Sequence, residues 1–293
     1  MPPTPIRFSL LRGICQLPAY VAHETGCFAR AGLDARLTIT PTAWMVPEQL
    51  ATGTTDFAVI PWTRIAAAEP GEAPLRALCG SGHEEAVLVI RKGLAPEDVR
   101  TIAIPREGGM KDLTAMGLIE SLGWSRCEQR RFPSGDGAII AFVGEGADAA
   151  SMVEPYAAMM ERLGIGTAIR RTGDVWPGAP GCSLAASAAL VERAPGLVQQ
   201  VVDAYVEAAA FVEAHPDATA RIASAYIGVH ADTIRAALRV NRPNVDALRA
   251  HGAMTHVLEL MRTLGYVDAI PEGFVDMRFL DRAQGPGTAA AHA

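Results

Sequence analysis

The sequence predicts an α/β fold of two lobes, and two observations predict it. Short strand-like runs alternate with helical runs up to Val153, the order that gives parallel strands joined by right-handed crossovers. A local pattern also occurs twice. Gly53-Thr54-Thr55-Asp56-Phe57-Ala58-Val59-Ile60-Pro61 and Gly146-Ala147-Asp148-Ala149-Ala150-Ser151-Met152-Val153-Glu154-Pro155 each read as a glycine turn, an aspartate, a small apolar strand and a proline. Duplication of this kind predicts two similarly built lobes.

Ile6–Leu11 reads as the first strand. Gln16–Ala31 reads as a helix, because Leu17, Tyr20, Val21, Cys27, Phe28 and Ala31 share a face at 3.6-residue spacing and Gly32 stops it. Ala35–Ile39 is a second strand, Pro47–Ala51 a short helix and Phe57–Ile60 a third strand. Leu75–Ser81 and Ala86–Ile90 are strand-like runs separated by the polar Gly82-His83-Glu84-Glu85, the expected crossover between lobes. The pattern then repeats as strand Thr101–Ile104, helix Asp112–Leu122 stopped at Gly123, strand Glu128–Phe132, helix Ala138–Val143 and strand Ala149–Val153. Ser183–Ala186 is the expected return strand.

From Pro195 the chain reads as helical. Val198, Val201, Val202, Tyr205 and Val212 form one apolar stripe, Pro216 opens the next helix, and Ile234–Val240 and Val245–Leu264 follow. The expected organisation is one discontinuous lobe, 1–82 plus 184–282, a second lobe, 83–183, and a disordered Gly/Ala/Pro-rich tail, 283–293.

At 293 residues and 49% hydrophobic, the chain is long enough to bury the core of such a fold. A net charge of -6, with basic residues clustered only as the doublets Arg130-Arg131 and Arg170-Arg171, argues against a nucleic-acid partner. No apolar run reaches the ~18 residues of a membrane span. Met1-Pro2-Pro3-Thr4-Pro5 carries no basic or apolar signal region. The location therefore stays open between the cytoplasm and a periplasm reached by a signal since removed. The five cysteines are Cys15, Cys27, Cys79, Cys127 and Cys182. Their odd count and long spacings predict reduced thiols.

Metal and cofactor chemistry has no motif. There is no C-x-x-C, no H-E-x-x-H and no Walker loop, so neither a metal nor a cofactor is expected. Gly144 to Ala149 fits G-x-G-x-x-A but precedes a strand, the wrong context for a nucleotide loop. Gly181-Cys182-Ser183-Leu184-Ala185 lacks the second glycine of a nucleophile elbow.

Several segments, in order, resemble the type II periplasmic solute-binding proteins, and among them the branch that binds aliphatic sulfonates, nitrate or taurine, and thiamine-pyrimidine precursors. Leu17-Pro18-Ala19-Tyr20-Val21-Ala22 and Gly26-Cys27-Phe28-Ala29-Arg30-Ala31-Gly32-Leu33 are similar to the family's first helix. Gly53–Pro61 resembles its G-x-x-D-x-A strand and Val153-Glu154-Pro155-Tyr156 its x-E-P turn. His215-Pro216-Asp217-Ala218 resembles its N-P-E-A helix start, and Phe274-Val275-Asp276 to Phe279-Leu280 its C-terminal signature. The resemblance runs from about residue 6 to 282. It implies the type II periplasmic-binding-protein fold, in which each lobe is a mainly parallel sheet flanked by helices and a two-strand hinge joins them. It also implies a small organic ligand, such as a sulfonate or a pyrimidine or aromatic compound, closed between the lobes for uptake through an ABC permease.

Such ligands sit over strand C-termini and helix N-termini, where crevices and unpaired N–H groups occur. Those places hold Cys15 and Gln16 after the first strand, with Tyr20 behind them; Trp44 and Met45 after the second; Trp62 and Thr63 after the third; and His83 in the crossover. In the second lobe they hold Gly108, Gly109, Met110 and Lys111, then Glu154 and Tyr156. Each has a structural alternative: Trp62 and Trp44 as packing, His83 as a surface loop, Glu154 as a helix cap. An enzyme on the same fold is the alternative function. Cys15 at a helix N-terminus favours thiolate, and Cys15-Gln16-Leu17-Pro18 resembles the C-x-x-P of the aryl sulfinate desulfinases. Those enzymes also use a His and an Arg from the next loops, and no counterpart stands near Trp44 or Ala51-Thr52-Gly53. The pyrimidine synthases of this fold use a Cys-rich patch that this chain lacks.

Overall fold

The computed structural model describes residues 2–68 and 73–285. Its strands are β1 (Thr4–Leu10), β2 (Leu33–Ile39), β3 (Phe57–Pro61), β4 (Leu75–Gly80), β5 (Ala86–Arg91), β6 (Thr101–Pro105), β7 (Glu128–Phe132), β8 (Ala149–Val153), β9 (Gly166–Arg171) and β10 (Cys182–Ser187). The first sheet has the order β2-β1-β3-β10-β4 and the second β7-β6-β8-β5-β9. In each, three neighbouring strands run parallel. Each also has one strand antiparallel to both its neighbours: β10 in the first sheet and β5 in the second. These are the strands that follow each passage of the chain between sheets, so the sheets are mixed, with four strands of each in one direction.

The duplicated sequence pattern explains the duplicated topology. β3 and β8 occupy the same central place in their sheets and are buried along their whole length. Their small apolar residues suit a strand covered on both faces. The aspartate before each strand fastens the strand beside it. Asp56 accepts from the Arg7 amide of β1 at 2.8 Å and from its guanidinium at 2.9–3.0 Å. Asp148 accepts from the Arg100 and Thr101 amides, both at 2.9 Å, at the start of β6.

The helices are α1 (Leu17–Glu24), α2 (Cys27–Arg30), α3 (Val46–Ala51), α4 (Trp62–Ala68), α5 (Met110–Leu118), α6 (Gly135–Val143), α7 (Tyr156–Arg162), α8 (Ala188–Arg193), α9 (Pro195–Ala214), α10 (Pro216–Ile227), α11 (Ala231–Ala237), α12 (His251–Thr263) and α13 (Arg278–Gln284). The expected helix 16–31 is broken in two, because Gly26 takes φ 76°, a left-handed conformation that ends one helix and starts the next. The expected helix 245–264 begins with a separate 3-10 turn, Ala247–Arg249. The apolar stripe of α9 is buried as expected, against a core that includes α1. The first residues of the tail expected to be disordered, 283–293, are instead ordered. Ala283 and Gln284 belong to α13, and the Gln284 amide donates to Asp246 at 3.0–3.1 Å. Residues 286–293 of that tail lie outside the described residues.

Two passages join the sheets, 81–85 outward and 172–181 back. They run side by side: Ser81 and Gly82 donate to the Cys182 carbonyl at 2.9 and 3.0 Å, Gly181 to Gly82 at 2.7 Å, and Glu84 to Ala179 at 2.9 Å. This paired connection is the hinge of a two-lobed fold.

Candidate ligand-binding site

A cavity of about 70 Å³ lies between the two sheets, at the C-terminal ends of β1, β2, β3, β6 and β8. The first sheet's side gives Leu11, Arg12, Cys15, Thr40, Trp44 and Arg64 to its wall. The other side gives Arg106, Gly109, Met110 and Lys111 from the β6–α5 loop, Ser134 to Asp136 from the start of α6, and Val153. Glu85, from the outward hinge passage, and Cys182, the first residue of β10 after the return passage, complete it. Loops end here because a parallel strand must leave the sheet at its C-terminal edge before its helix returns, which opens a crevice.

The charge of the wall is set by which ions are already paired. Arg12 meets Asp136 at 3.1 Å, and the fully buried Asp112 meets Arg131 at 2.6 Å. Arg64, Arg106 and Lys111 have no carboxylate partner among the described residues. Arg64 spends its Nη2 on the carbonyl of Glu107 at 2.7 Å, while its buried Nε has no acceptor. Burial pulls the Arg64 guanidinium down to about 10 from its ordinary 12.5. A desolvated cation short of an acceptor favours an arriving anion. The N-termini of α5 and α6, nine residues each, face the same space through Gly109, Met110 and Gly135 and add positive potential.

Contacts across the cleft hold the lobes together. Trp44 Nε1 donates to Pro133 O at 3.1 Å while the Arg106 guanidinium lies 4.6 Å from its ring centroid. Thr63 Oγ1 donates to Gly108 O at 2.7 Å. Ile14 N donates to Glu154 O at 3.0 Å. The lobes are therefore closed.

Of the expected ligand residues, Cys15, Trp44, Gly109, Met110 and Lys111 line the cavity. The others lie elsewhere, each for a packing reason. Gln16 is fully buried; its side chain accepts from Leu11 N at 3.1 Å and donates to Cys15 Sγ at 3.2 Å, so it shapes the loop. Tyr20 is buried, donates to Leu11 O and stacks on Tyr226 with centroids 4.4 Å apart. Trp62 is fully buried, donates to Pro180 O at 2.9 Å and stacks on Phe274, which makes it an anchor for the hinge. Met45 points to solvent beside Trp44. Thr63 and Gly108 spend their polar atoms on each other across the cleft. His83 sits in the hinge, bridged to Pro180, and its carbonyl accepts from Asn241. Glu154 caps α7, accepting from Ala158 N at 3.0 Å, and pairs with Arg171 at 2.9 Å. Tyr156, on the first turn of α7, is buried outside the cavity wall.

The thiolate expected at Cys15 is not favoured. A hydrogen bond with Cys182 pulls the thiol down, but burial and the Glu85 carboxylate push it further up, so it stands above its ordinary 9.0. Cys15 sits within a 3-10 turn of three residues, Ile14–Gln16, too short to offset this. Arg12, Arg64, Glu85, Asp136 and Cys182 are cavity residues that the place-by-place reading passed over.

Residues 137–228 match the model of the NMT1-like family, in agreement with the expected branch. A comparison with curated proteins finds no match. Among solved structures, the chain is similar to the ligand-binding component of an ABC-type import system from Staphylococcus aureus with zinc bound: TM-score 0.83, 16% identity, 96% of this chain and 99% of that one covered. It is similar to the alkanesulfonate-binding protein SsuA of Xanthomonas axonopodis pv. citri bound to MOPS, with TM-score 0.79, 13% identity and coverage of 94% and 99%. The periplasmic nitrate-binding protein NrtA of Synechocystis PCC 6803 gives TM-score 0.71, 14% identity and coverage of 79% and 69%. The chain thus has the two-lobed type II periplasmic-binding-protein fold expected from the sequence.

Proposed function

We propose that this chain is a solute-binding protein that closes its lobes over a compact anionic molecule, such as a sulfonate or an aromatic or pyrimidine compound with an acidic group, for uptake by an ABC permease. The observation that carries this reading is the unpaired basic wall of the closed cavity: Arg64, Arg106 and Lys111 with the starts of α5 and α6. The relatives of known fold support it, since one is an alkanesulfonate-binding protein and one a nitrate-binding protein. The cavity's size argues for a small molecule, because about 70 Å³ holds roughly five water molecules at ~10–15 Å³ each. We place lobe one at 1–82 plus 184–282 and lobe two at 83–183, with the hinge in the paired passages. No helix of the described residues is long and apolar enough to cross a membrane.

A thermal-shift screen of alkanesulfonates, nitrate, pyrimidines and aromatic acids, read together with mass spectrometry, tests this. A compound that raises the melting temperature and emerges unchanged supports binding for uptake. A compound consumed by the wild type and spared by Cys15→Ser replaces the proposal with catalysis.

A further inference from the structure

We propose that Cys15, Glu85 and Cys182 together bind a thiophilic divalent cation of the zinc class. Their donor atoms, two sulfurs and a carboxylate oxygen, all lie within 4.8 Å of one another, and all three residues are buried. Tetrahedral zinc with bonds near 2.3 Å to sulfur sets its sulfurs about 3.8 Å apart. The trio therefore stands close to the spacing that a bound ion requires. Two soft sulfurs and one oxygen are a set that selects zinc-like ions over calcium or magnesium.

Glu85 provides a second, independent observation. It is 5% exposed, yet only one of its oxygens is used: Oε1 accepts from Cys182 Sγ at 3.1 Å, while the buried Oε2 has no partner. A buried carboxylate oxygen without a partner keeps its full desolvation cost unless something positive meets it. The backbone makes room for this carboxylate. A Cβ at Gly82 would stand 2.3 Å from Oε2 and 2.8 Å from Cys15 Cβ, and one at Gly181 would stand 2.2 Å from the Glu85 Cδ. Two glycines on the two hinge passages thus form a cradle around it.

All three residues also line the interlobe cavity. A cation arrives by the route any ligand takes when the lobes open, and three protein donors leave a fourth position toward the cavity. The two thiol protons pass to solvent as the sulfurs bind. Glu85 ends the outward hinge passage and Cys182 directly follows the return passage, 97 positions apart, so spacing motifs miss the site and a bound ion staples the hinge. The inference rests on these three side chains and not on the anionic ligand proposed above.

The test uses the full chain, reduced and stripped of metal, with no organic ligand present. Titration with Co²⁺ is expected to give one equivalent bound with thiolate-to-cobalt charge-transfer absorption, displaced by Zn²⁺, and Zn²⁺ is expected to raise the melting temperature. Cys15→Ser and Cys182→Ser each lose the absorption and weaken Zn²⁺ binding by more than the roughly 10–100-fold typical of an outer-shell change. Glu85→Gln weakens it as well, and Cys127→Ser leaves it unchanged. X-ray absorption of the zinc-loaded wild type needs no variant and is expected to show two sulfurs near 2.3 Å. Zinc without sulfur neighbours, or equal affinity in wild type and both serine variants, overturns the site.

Discussion

Arg64 is the residue on which the ligand's charge can be tested. Its Nε lies buried with no acceptor and its guanidinium is held near 10 by burial, so an anion in the cavity gives it what the fold does not. A charge-assisted hydrogen bond contributes about 1.5–3 kcal/mol. Arg64→Met keeps the apolar stem and is expected to weaken binding of the ligand found by screening by roughly 10–100-fold, measured by calorimetry, with little change in melting temperature. Equal affinity would remove Arg64 from the site. Trp62 makes the opposite case. Fully buried between Phe274 and the Pro180 carbonyl, it is structural, and Trp62→Ala is expected to destabilise by about 3–5 kcal/mol in urea unfolding. The sequence places both Trp44 and Trp62 after strands, and nothing local says that one meets the cleft and the other the core. Position after a strand was enough to find Trp44, Gly109 and Lys111 at the cavity. It missed Glu85 and Cys182, because they reach it only through the pairing of two hinge passages far apart in the chain.

At the scale of elements, the repeated aspartate was the most legible signal, since Asp56 and Asp148 do the same work at equivalent strands. Burial pushes the Asp148 carboxyl up. The Arg100 and Thr101 amides and the Thr101 hydroxyl hold it down further, leaving it below its ordinary 3.8. A lowered folded-state value means the carboxylate contributes stability above pH 3.8, lost as pH falls through the lowered value. Asp148→Asn is expected to reduce stability at neutral pH by about 1 kcal/mol, a modest figure because the half-buried group is still partly screened by solvent. The gap in urea midpoint between wild type and variant then closes below pH 3.8; a gap independent of pH would mean the charge is irrelevant. The central strands and α9 were legible because full burial writes apolar runs and stripes. β9 was not, because an edge strand of half-buried residues, Gly166-Thr167-Ala168-Ile169-Arg170-Arg171, shows neither an apolar run nor a clean alternation. α13 was not read as a helix, and Ala283 and Gln284 were assigned to the tail, because they border a Gly/Ala/Pro-rich segment, while its docking depends on Asp246 and Arg249, which local pattern cannot reveal.

For the whole molecule, function reduces to the balance between open and closed lobes. The cavity lies between the lobes, and contacts from both sides of the cleft narrow the way into it, so ligand exchange depends on the lobes parting about the hinge at 81–85 and 172–181. Trp44 sits at the mouth and makes two contacts with the opposite lobe, one to Pro133 O and one under Arg106. An exposed cation–π contact contributes about 0.5–1 kcal/mol, and a hydrogen bond about 1 kcal/mol. Losing both shifts the equilibrium toward open lobes by roughly 10-fold or somewhat more, since 1.4 kcal/mol is a factor of ten. Trp44→Ala is therefore expected to speed ligand release by that factor and to leave association unchanged, because the encounter takes place with the open form. Small-angle scattering should show wild type contracting when ligand is added, and the variant contracting less at the same concentration. Slower association with unchanged release would mean that Trp44 guides the ligand in and is not the latch that keeps it there.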